Sequence, residues 1–317
     1  MDRIKTQITM FEKVNAGHPD KMADRLAGAV VDLVYERAGG LTKANPRVAC
    51  EVMAGHGRVD VQIETSLGRL DLRADDLDPL IHRLFGERVE GNVLIAPQDP
   101  HLSDNQTRGL RCGDNGIFKG CPPTEEQRVL TAIAATIYGS IPYDGKYIIG
   151  QGADHMTHLT ICQSHATKEE IDRIMYECLD KFVYFDTHSG YPIDEWRVNP
   201  LGPWTGGINV DCGCTNRKIG SDMGDGVTGG GLMGKDLSKA DVSVNIVCFL
   251  KAVASGQVVT AICSIGDENV TFQYADGKTE TETFADIVEM ARLYILTDCG
   301  GSFEKFAEWG LIRAKDL

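Results

Sequence analysis

Arg47-Val48-Ala49-Cys50-Glu51-Val52-Met53 and Val59-Asp60-Val61-Gln62-Ile63-Glu64 alternate apolar and polar side chains on either side of a turn containing glycine. A period of two marks paired strands with one buried face. Before them, Met22, Leu26, Ala29, Val30, Leu33 and Val34 share one face of a helix at about 19–37, and a second helix lies near 75–85. The same order, helix, two strands around a turn, helix, occurs twice more. It runs from a helix at about 124–138 through Lys146–Ile149 and His158–Cys162 to a helix Thr167–Val183, which Thr167 and Glu170 open as a capping box. It then runs from about 238–254 through Val258–Ile265 and Asn269–Tyr274 to about 283–296. Starts near 19, 124 and 238 give a spacing of roughly a hundred residues. The pattern predicts an α+β chain of three pseudo-threefold-related α/β repeats with helices packed on mixed sheets. By sequence they divide at 1–100, 101–198 and 199–317, with the true domains intertwined.

The 317 residues suffice for a large core, and no segment has the roughly 20 apolar residues needed to cross a bilayer. Met1–Gln7 lacks the apolar run of a signal peptide, so a cytoplasmic protein is expected. A net charge of −14 disfavours nucleic acid and anionic membranes as partners but leaves room for a local basic cluster around a nucleotide. The ten cysteines, Cys50, Cys162, Cys178, Cys248 and Cys263 among them, sit in apolar segments and read as reduced, mostly buried thiols. Cys212 and Cys214 form C-x-C without the paired spacing of a structural zinc site. His155 and His158, three apart in a strand, point to opposite faces and cannot share an ion.

Chemistry concentrates in three segments. Asn15-Ala16-Gly17-His18-Pro19-Asp20-Lys21 ends one strand, Thr6–Val14, and starts a helix at Pro19, so His18, Asp20 and Lys21 crowd the positive end of its dipole. Taken alone, this is a helix start; with a His and a Lys beside it, it also suits an anion. Gly229-Gly230-Gly231-Leu232-Met233-Gly234-Lys235-Asp236 satisfies G-x4-G-K but lacks the Ser or Thr of a Walker loop. Its glycines still let backbone N–H groups approach phosphate, and Asp236, Lys239 and Asp241 follow. Asp211-Cys212-Gly213-Cys214-Thr215-Asn216-Arg217-Lys218 adds adjacent bases after a carboxylate. Three clusters of acid, base and glycine point to a magnesium-dependent polyphosphate site.

These residues resemble the S-adenosylmethionine synthetases, or methionine adenosyltransferases. Gly17–Lys21 with Ala23-Asp24 looks like the family's first signature, and Gly229–Asp241 like its glycine-rich signature. Asp211–Lys218 resembles the segment before it, Glu51 and Glu64 keep the spacing of thirteen between two functional glutamates, and Gly113-Asp114-Asn115-Gly116 resembles a Gly-Asp-Gln-Gly step. The likeness runs from about residue 8 to 275 and describes a compact member.

The resemblance implies three similar α+β units, a homodimer or dimer of dimers packed sheet against sheet with shared active sites, and synthesis of S-adenosyl-L-methionine from ATP and L-methionine. Sulfur attacks C5′ of ATP, and the expelled triphosphate is cleaved to pyrophosphate and phosphate. It further implies that His18, Lys146, Arg217, Lys218 and Lys235 contact phosphates, that Asp20 and Asp241 hold Mg²⁺ (two ions), and that Glu51 lies near K⁺. Glu64 and Asp114 would hold the methionine ammonium, Lys239 its carboxylate, and Ile265 would border sulfur. Trp204 would stack on adenine, Asp144 and Asp211 would meet the nucleoside, and either Gln98 or Gln106 would contact methionine. Where the family usually carries Arg after the magnesium aspartate, this chain has Val242.

Overall fold

The computed structural model describes residues 10–68, 71–101, 110–152, 156–184 and 193–314, the side chains of 178–184 excepted. Gln106 and His155 therefore lie outside the described residues. In chain order the elements are β1 (Met10–Val14), α1 (Pro19–Arg37), β2 (Val48–Gly55), β3 (Arg58–Thr65), α2 (Asp78–Phe85), β4 (Glu90–Pro97), β5 (Gly116–Gly120), α3 (Glu125–Ser140), β6 (Gly145–Gln151), β7 (Thr157–Gln163) and α4 (Lys168–Tyr184). They continue as β8 (Glu195–Val198), β9 (Gly213–Cys214), α5 (Ile219–Met223), α6 (Ala240–Ser255), β10 (Val259–Cys263), β11 (Asn269–Tyr274), β12 (Thr279–Thr283), α7 (Phe284–Asp298) and α8 (Phe303–Trp309). The chain forms two compact units, one from Met1–His18, Pro123–Gly207 and Ile312–Leu317, the other from Pro19–Pro122 and Ile208–Leu311.

In the first unit the sheet order is β1-β6-β7-β8, antiparallel except for the parallel β7–β8 pair. The short sequence separation of β6 and β7 allows antiparallel pairing, whereas the helix α4 between β7 and β8 carries the chain back for a parallel one. Thr167 and Glu170 start α4 as a reciprocal cap, as the sequence predicts. Asn15, fully buried at the end of β1, donates to the Tyr143 carbonyl, Tyr147 hydroxyl and Gln163 Oε1, and its Oδ1 accepts from the N–H groups of Gly17 and Gly145.

The second unit holds two sheets. One has the order β4-β3-β2-β9, with β3–β4 parallel across α2 and the rest antiparallel; the other, β12-β11-β10-β5, is antiparallel throughout. The alternation read from sequence is kept: Val48, Cys50, Val52 and Ala54 of β2 and Val59, Val61 and Ile63 of β3 enter one core with α1, α6 and α7, while Glu51, Met53, Gln62 and Glu64 face outward. The α+β class and its repeated units are thus present as three four-stranded sheets. In each, a local hairpin pairs on one side with the next strand along the chain and on the other with a strand from a distant segment, β1, β9 or β5. Of these, β1 falls within the strand expected at Thr6–Val14, whereas period counting misses β9, which has two residues, and β5, which is bracketed by glycines; β12, all Thr and Glu, carries no apolar alternation. Among the described residues no helix is long and apolar enough to cross a membrane. The nine described cysteines are free, five of them buried.

Lys21 departs from its expected place at an anion site. It is fully buried, its Nζ 2.7 Å from both carboxylate oxygens of Asp222 and 3.1 Å from Asp24. Helical spacing explains this: Asp24 is one turn on from Lys21, so both share the inward face of α1 that carries the core. Burial pushes the Asp24 carboxyl up to about 6 against the opposing pull of Lys21, with the Asp222 charge adding to the rise. A Lys21→Met substitution leaves two carboxylates uncompensated inside the protein and should cost about 3–5 kcal/mol in urea unfolding at pH 7. Because the folded-state value of Asp24 is raised, its protonation favours the fold at low pH and that contribution is lost as pH rises through about 6. The penalty in Lys21→Met should therefore shrink between pH 7 and pH 5.

Candidate functional site

The second unit gathers most of the predicted site residues around two neighbouring structures. The first is the start of α1. Asp20, nearly buried, accepts the Cys214 N–H at 2.9 Å, with Arg217 at 3.5 Å and Lys218 at 3.7 Å. The strand β9 crosses the first turn of α1 so closely that a Cβ on Gly213 would lie 2.0 Å from the Pro19 carbonyl oxygen, so only glycine fits there. This crossing is what carries Arg217 and Lys218, some two hundred residues away in sequence, to Asp20. Arg217 keeps more than half its side chain in solvent, available to an anion.

The second structure is the glycine-rich loop. It is riveted to the free edge of β2: the Cys50 N–H donates to Gly234 O at 2.7 Å, the Asp236 N–H to Val48 O at 3.1 Å, and the Val48 N–H to Asp236 Oδ2 at 2.8 Å. The buried Asp236 is thereby a structural acid. Lys235 instead points to Asp241 in the first turn of α6, Nζ to Oδ2 2.7 Å. A cleft of ≈ 440 Å³ opens there, lined by Asp114 to Phe118, Gly229 to Gly231, Lys235 and Asp241. Val242, next along, is 1 % exposed and faces the core, so no basic group reaches the cleft from that position.

Several other predicted residues border this cleft or stand apart from it. Asp114 lines it, and Ile265, exposed, is brought alongside because its N–H donates to Asn115 Oδ1 at 2.7 Å. Lys239 precedes α6 and is half-buried. Glu51 and Glu64 share the outward face of their sheet, Glu51 bonded by the Thr215 hydroxyl. Asp211 is exposed and accepts the Cys212 N–H. Gln98, just after β4, is half-buried, with an Oε1 that is buried and has no hydrogen-bond partner among the described atoms.

The first unit holds His18, Asp144, Lys146 and Trp204. Asp144 is buried at 6 % exposure and accepts the Gly207 N–H at 2.8 Å, while the Trp204 indole N–H donates to Asn199 Oδ1 at 3.2 Å. Lys146 pairs with Glu12 at 2.8 Å on the outward face of β6 and β1. Near them His165 stacks on Tyr143 with centroids 4.2 Å apart and sits at a left-handed φ of 56°. A positive φ on a non-glycine residue is not visible from periodicity.

Among the described residues no three or more His, Cys, Asp or Glu side chains form a metal cage. Asp20 and Asp241 each offer a carboxylate beside basic groups and N–H-bearing backbone. That donor set suits magnesium held jointly by one or two carboxylates and substrate phosphate rather than by protein alone. The same arrangement of Lys, Arg and glycine backbone can spread and neutralise a polyphosphate's charge.

Comparison with known proteins brings out one recurring likeness. Residues 6–74 match the family model for the N-terminal domain of S-adenosylmethionine synthetase. The chain is 27 % identical over 308 residues to the S-adenosylmethionine synthase of Wolinella succinogenes, covering 85 % of this chain and 77 % of that protein. It is 26 % identical over 353 aligned positions to that of Helicobacter pylori strain P12, covering 96 % and 88 % respectively. The synthase of Nitratiruptor is 27 % identical over 308 positions.

A Cβ at Gly230 would lie 2.0 Å from Asp241 Oδ1, the end of a movable side chain. Gly230→Ala should therefore leave thermal stability almost unchanged but turn Asp241 out of the cleft. Calorimetric titration with magnesium triphosphate should show binding weakened by about tenfold, the loss of roughly one charge-assisted contact.

Proposed function

We propose that this chain, a distant member of the S-adenosylmethionine synthetase family, makes S-adenosyl-L-methionine from ATP and L-methionine. The observation that carries the reading is the cleft in which a glycine-rich loop, the Lys235–Asp241 pair and Asp114 meet. A phosphate and its cation would separate Lys235 from Asp241, the lysine turning to phosphate oxygens and the carboxylate to the metal. A thioether has no proton to lose, so the reaction needs no general base. The S–C5′ bond forms as the C5′–O bond breaks, and the electron pair leaves on the triphosphate.

The protein's task is then to align sulfur, C5′ and leaving oxygen and to neutralise the departing charge. In this reading His18, Lys146, Arg217, Lys218 and Lys235 hold phosphates. Asp20 and Asp241 would hold magnesium, which when bound balances charge on the triphosphate; Glu51 would serve potassium. Asp114 and Glu64 take the methionine ammonium and Lys239 its carboxylate, with Ile265 beside the sulfur. Either Gln98 or Gln106 is a further methionine contact, and the buried Gln98 Oε1, without a hydrogen-bond partner among the described residues, is compatible with the former. Trp204 stacks on adenine, and Asp144 and Asp211 meet the nucleoside. The outward sheet faces expose Met53, Leu94, Ile117 and Ile262, at 58 to 71 %, which supports a homodimer joined through sheets.

Incubation of the purified chain with ATP, Mg²⁺, K⁺ and methionine should yield a sulfonium product of the expected mass; no product with any thioether would sink the reading. Lys235→Met should lower kcat/KM by about 10²–10³-fold, in line with loss of one positioned charge-stabilising group. With Val242 turned into the core, triphosphate cleavage should lag behind adenosyl transfer, and phosphorus NMR should detect free triphosphate. Equal release of pyrophosphate and phosphate with every turnover would contradict that last expectation.

A further inference from the structure

Asn216 sits between Thr215, whose hydroxyl bonds Glu51, and Arg217, which faces Asp20. Its φ is 62°, a left-handed backbone that Asn tolerates better than most side-chain-bearing residues. In that conformation its N–H donates to Asp24 Oδ1 at 2.8 Å, and its side chain turns toward the glycine-rich loop. Asn216 Oδ1 accepts the Met233 N–H at 2.8 Å, and its Nδ2 donates to the Met233 carbonyl at 3.3 Å. One amide side chain thus satisfies both backbone groups of a loop residue, as a neighbouring strand would. The loop is also packed directly on it: a Cβ at Gly231 would lie 2.8 Å from Asn216 Cγ. Met233 is buried at 2 % exposure, and two residues later comes Lys235 with its partner Asp241.

We infer that Asn216 is a positioning residue, a latch that fixes the glycine-rich loop against the Thr215–Lys218 segment and so holds Lys235 ready at the cleft before any ligand arrives. It touches no reacting atom. It acts by keeping the loop in its phosphate-ready shape, so that binding does not have to select that shape from a broader set. The bland alternative is a loop-stabilising Asn whose loss lowers stability and leaves the loop's behaviour at the site unchanged. The kinetic readout below rests on the synthetase reading, whereas the exchange and binding readouts do not.

The test compares Asn216→Gly, which keeps the left-handed backbone and deletes both side-chain bonds, with Asn216→Asp, which keeps an acceptor for the Met233 N–H and removes the donor to its carbonyl. Hydrogen–deuterium exchange of the ligand-free protein should be about tenfold faster in peptides spanning 229–236 of Asn216→Gly and unchanged in β10 and β11. Calorimetry with magnesium triphosphate should show about tenfold weaker binding. In the sulfonium assay KM for ATP should rise about tenfold while kcat stays within about twofold, since the bound enzyme rebuilds the loop. Asn216→Asp should fall between the two proteins in each measurement, and it decides the matter alone if the glycine variant does not fold. Unchanged exchange at 229–236, or a lower melting temperature with unchanged triphosphate affinity, would overturn the proposal. A wild type that binds triphosphate and shows the exchange difference but forms no sulfonium would overturn the synthetase reading and leave the latch standing.

Discussion

The interaction on which the second unit depends is the buried contact of Lys21 with Asp222 and Asp24. A lone ammonium in an apolar interior is strongly disfavoured, as is a lone carboxylate, so the three groups are tolerable only together. Their partnership fixes α1 against α5, and the neighbours of these residues inherit the placement. Asp24 holds the backbone of Asn216, Asn216 holds Met233, and β9 lies across the first turn of α1 with Arg217 and Lys218 behind it. The charges that reach solvent are therefore aimed by charges that do not.

The sequence made legible whatever is encoded locally. The three hairpins and their helices follow from alternation and helical periodicity, and their boundaries fall within a few residues of those observed. The glycine-rich loop and the Asp211–Lys218 segment could be recognised as chemistry-bearing because acid, base and glycine are adjacent in the chain. What could not be read is which member of each cluster turns inward. Lys21 and Asp236 have the same composition-level credentials as Lys235 and Asp241, yet the first pair is fully buried and structural, while the second keeps some side-chain exposure at the cleft. Only the facing of α1 and the bonding of Asp236 to the edge of β2 separate them.

Nor could the sequence show how the segments meet. Each sheet completes itself with a strand from far along the chain, and each such strand adjoins candidate site residues: β1 leads into His18, β9 into Thr215–Lys218, and β5 follows Asp114. A two-residue strand such as β9 has no period to detect. Its position is dictated instead by the free edge of β2 and by the close passage over Pro19 that glycine permits.

That borrowed-strand construction also sets a timetable for the nascent chain. The hairpin β2–β3 can form as soon as it leaves the ribosome, but the partner for its open edge is 163 residues further on, where Thr215 meets Val52. Until then the edge is an unpaired template, the kind of surface on which chains join wrongly. Closing so long a loop is slow, so the charged cluster comes together among the later events of folding. The acid and base clusters consequently stay apart until most of the chain has been made.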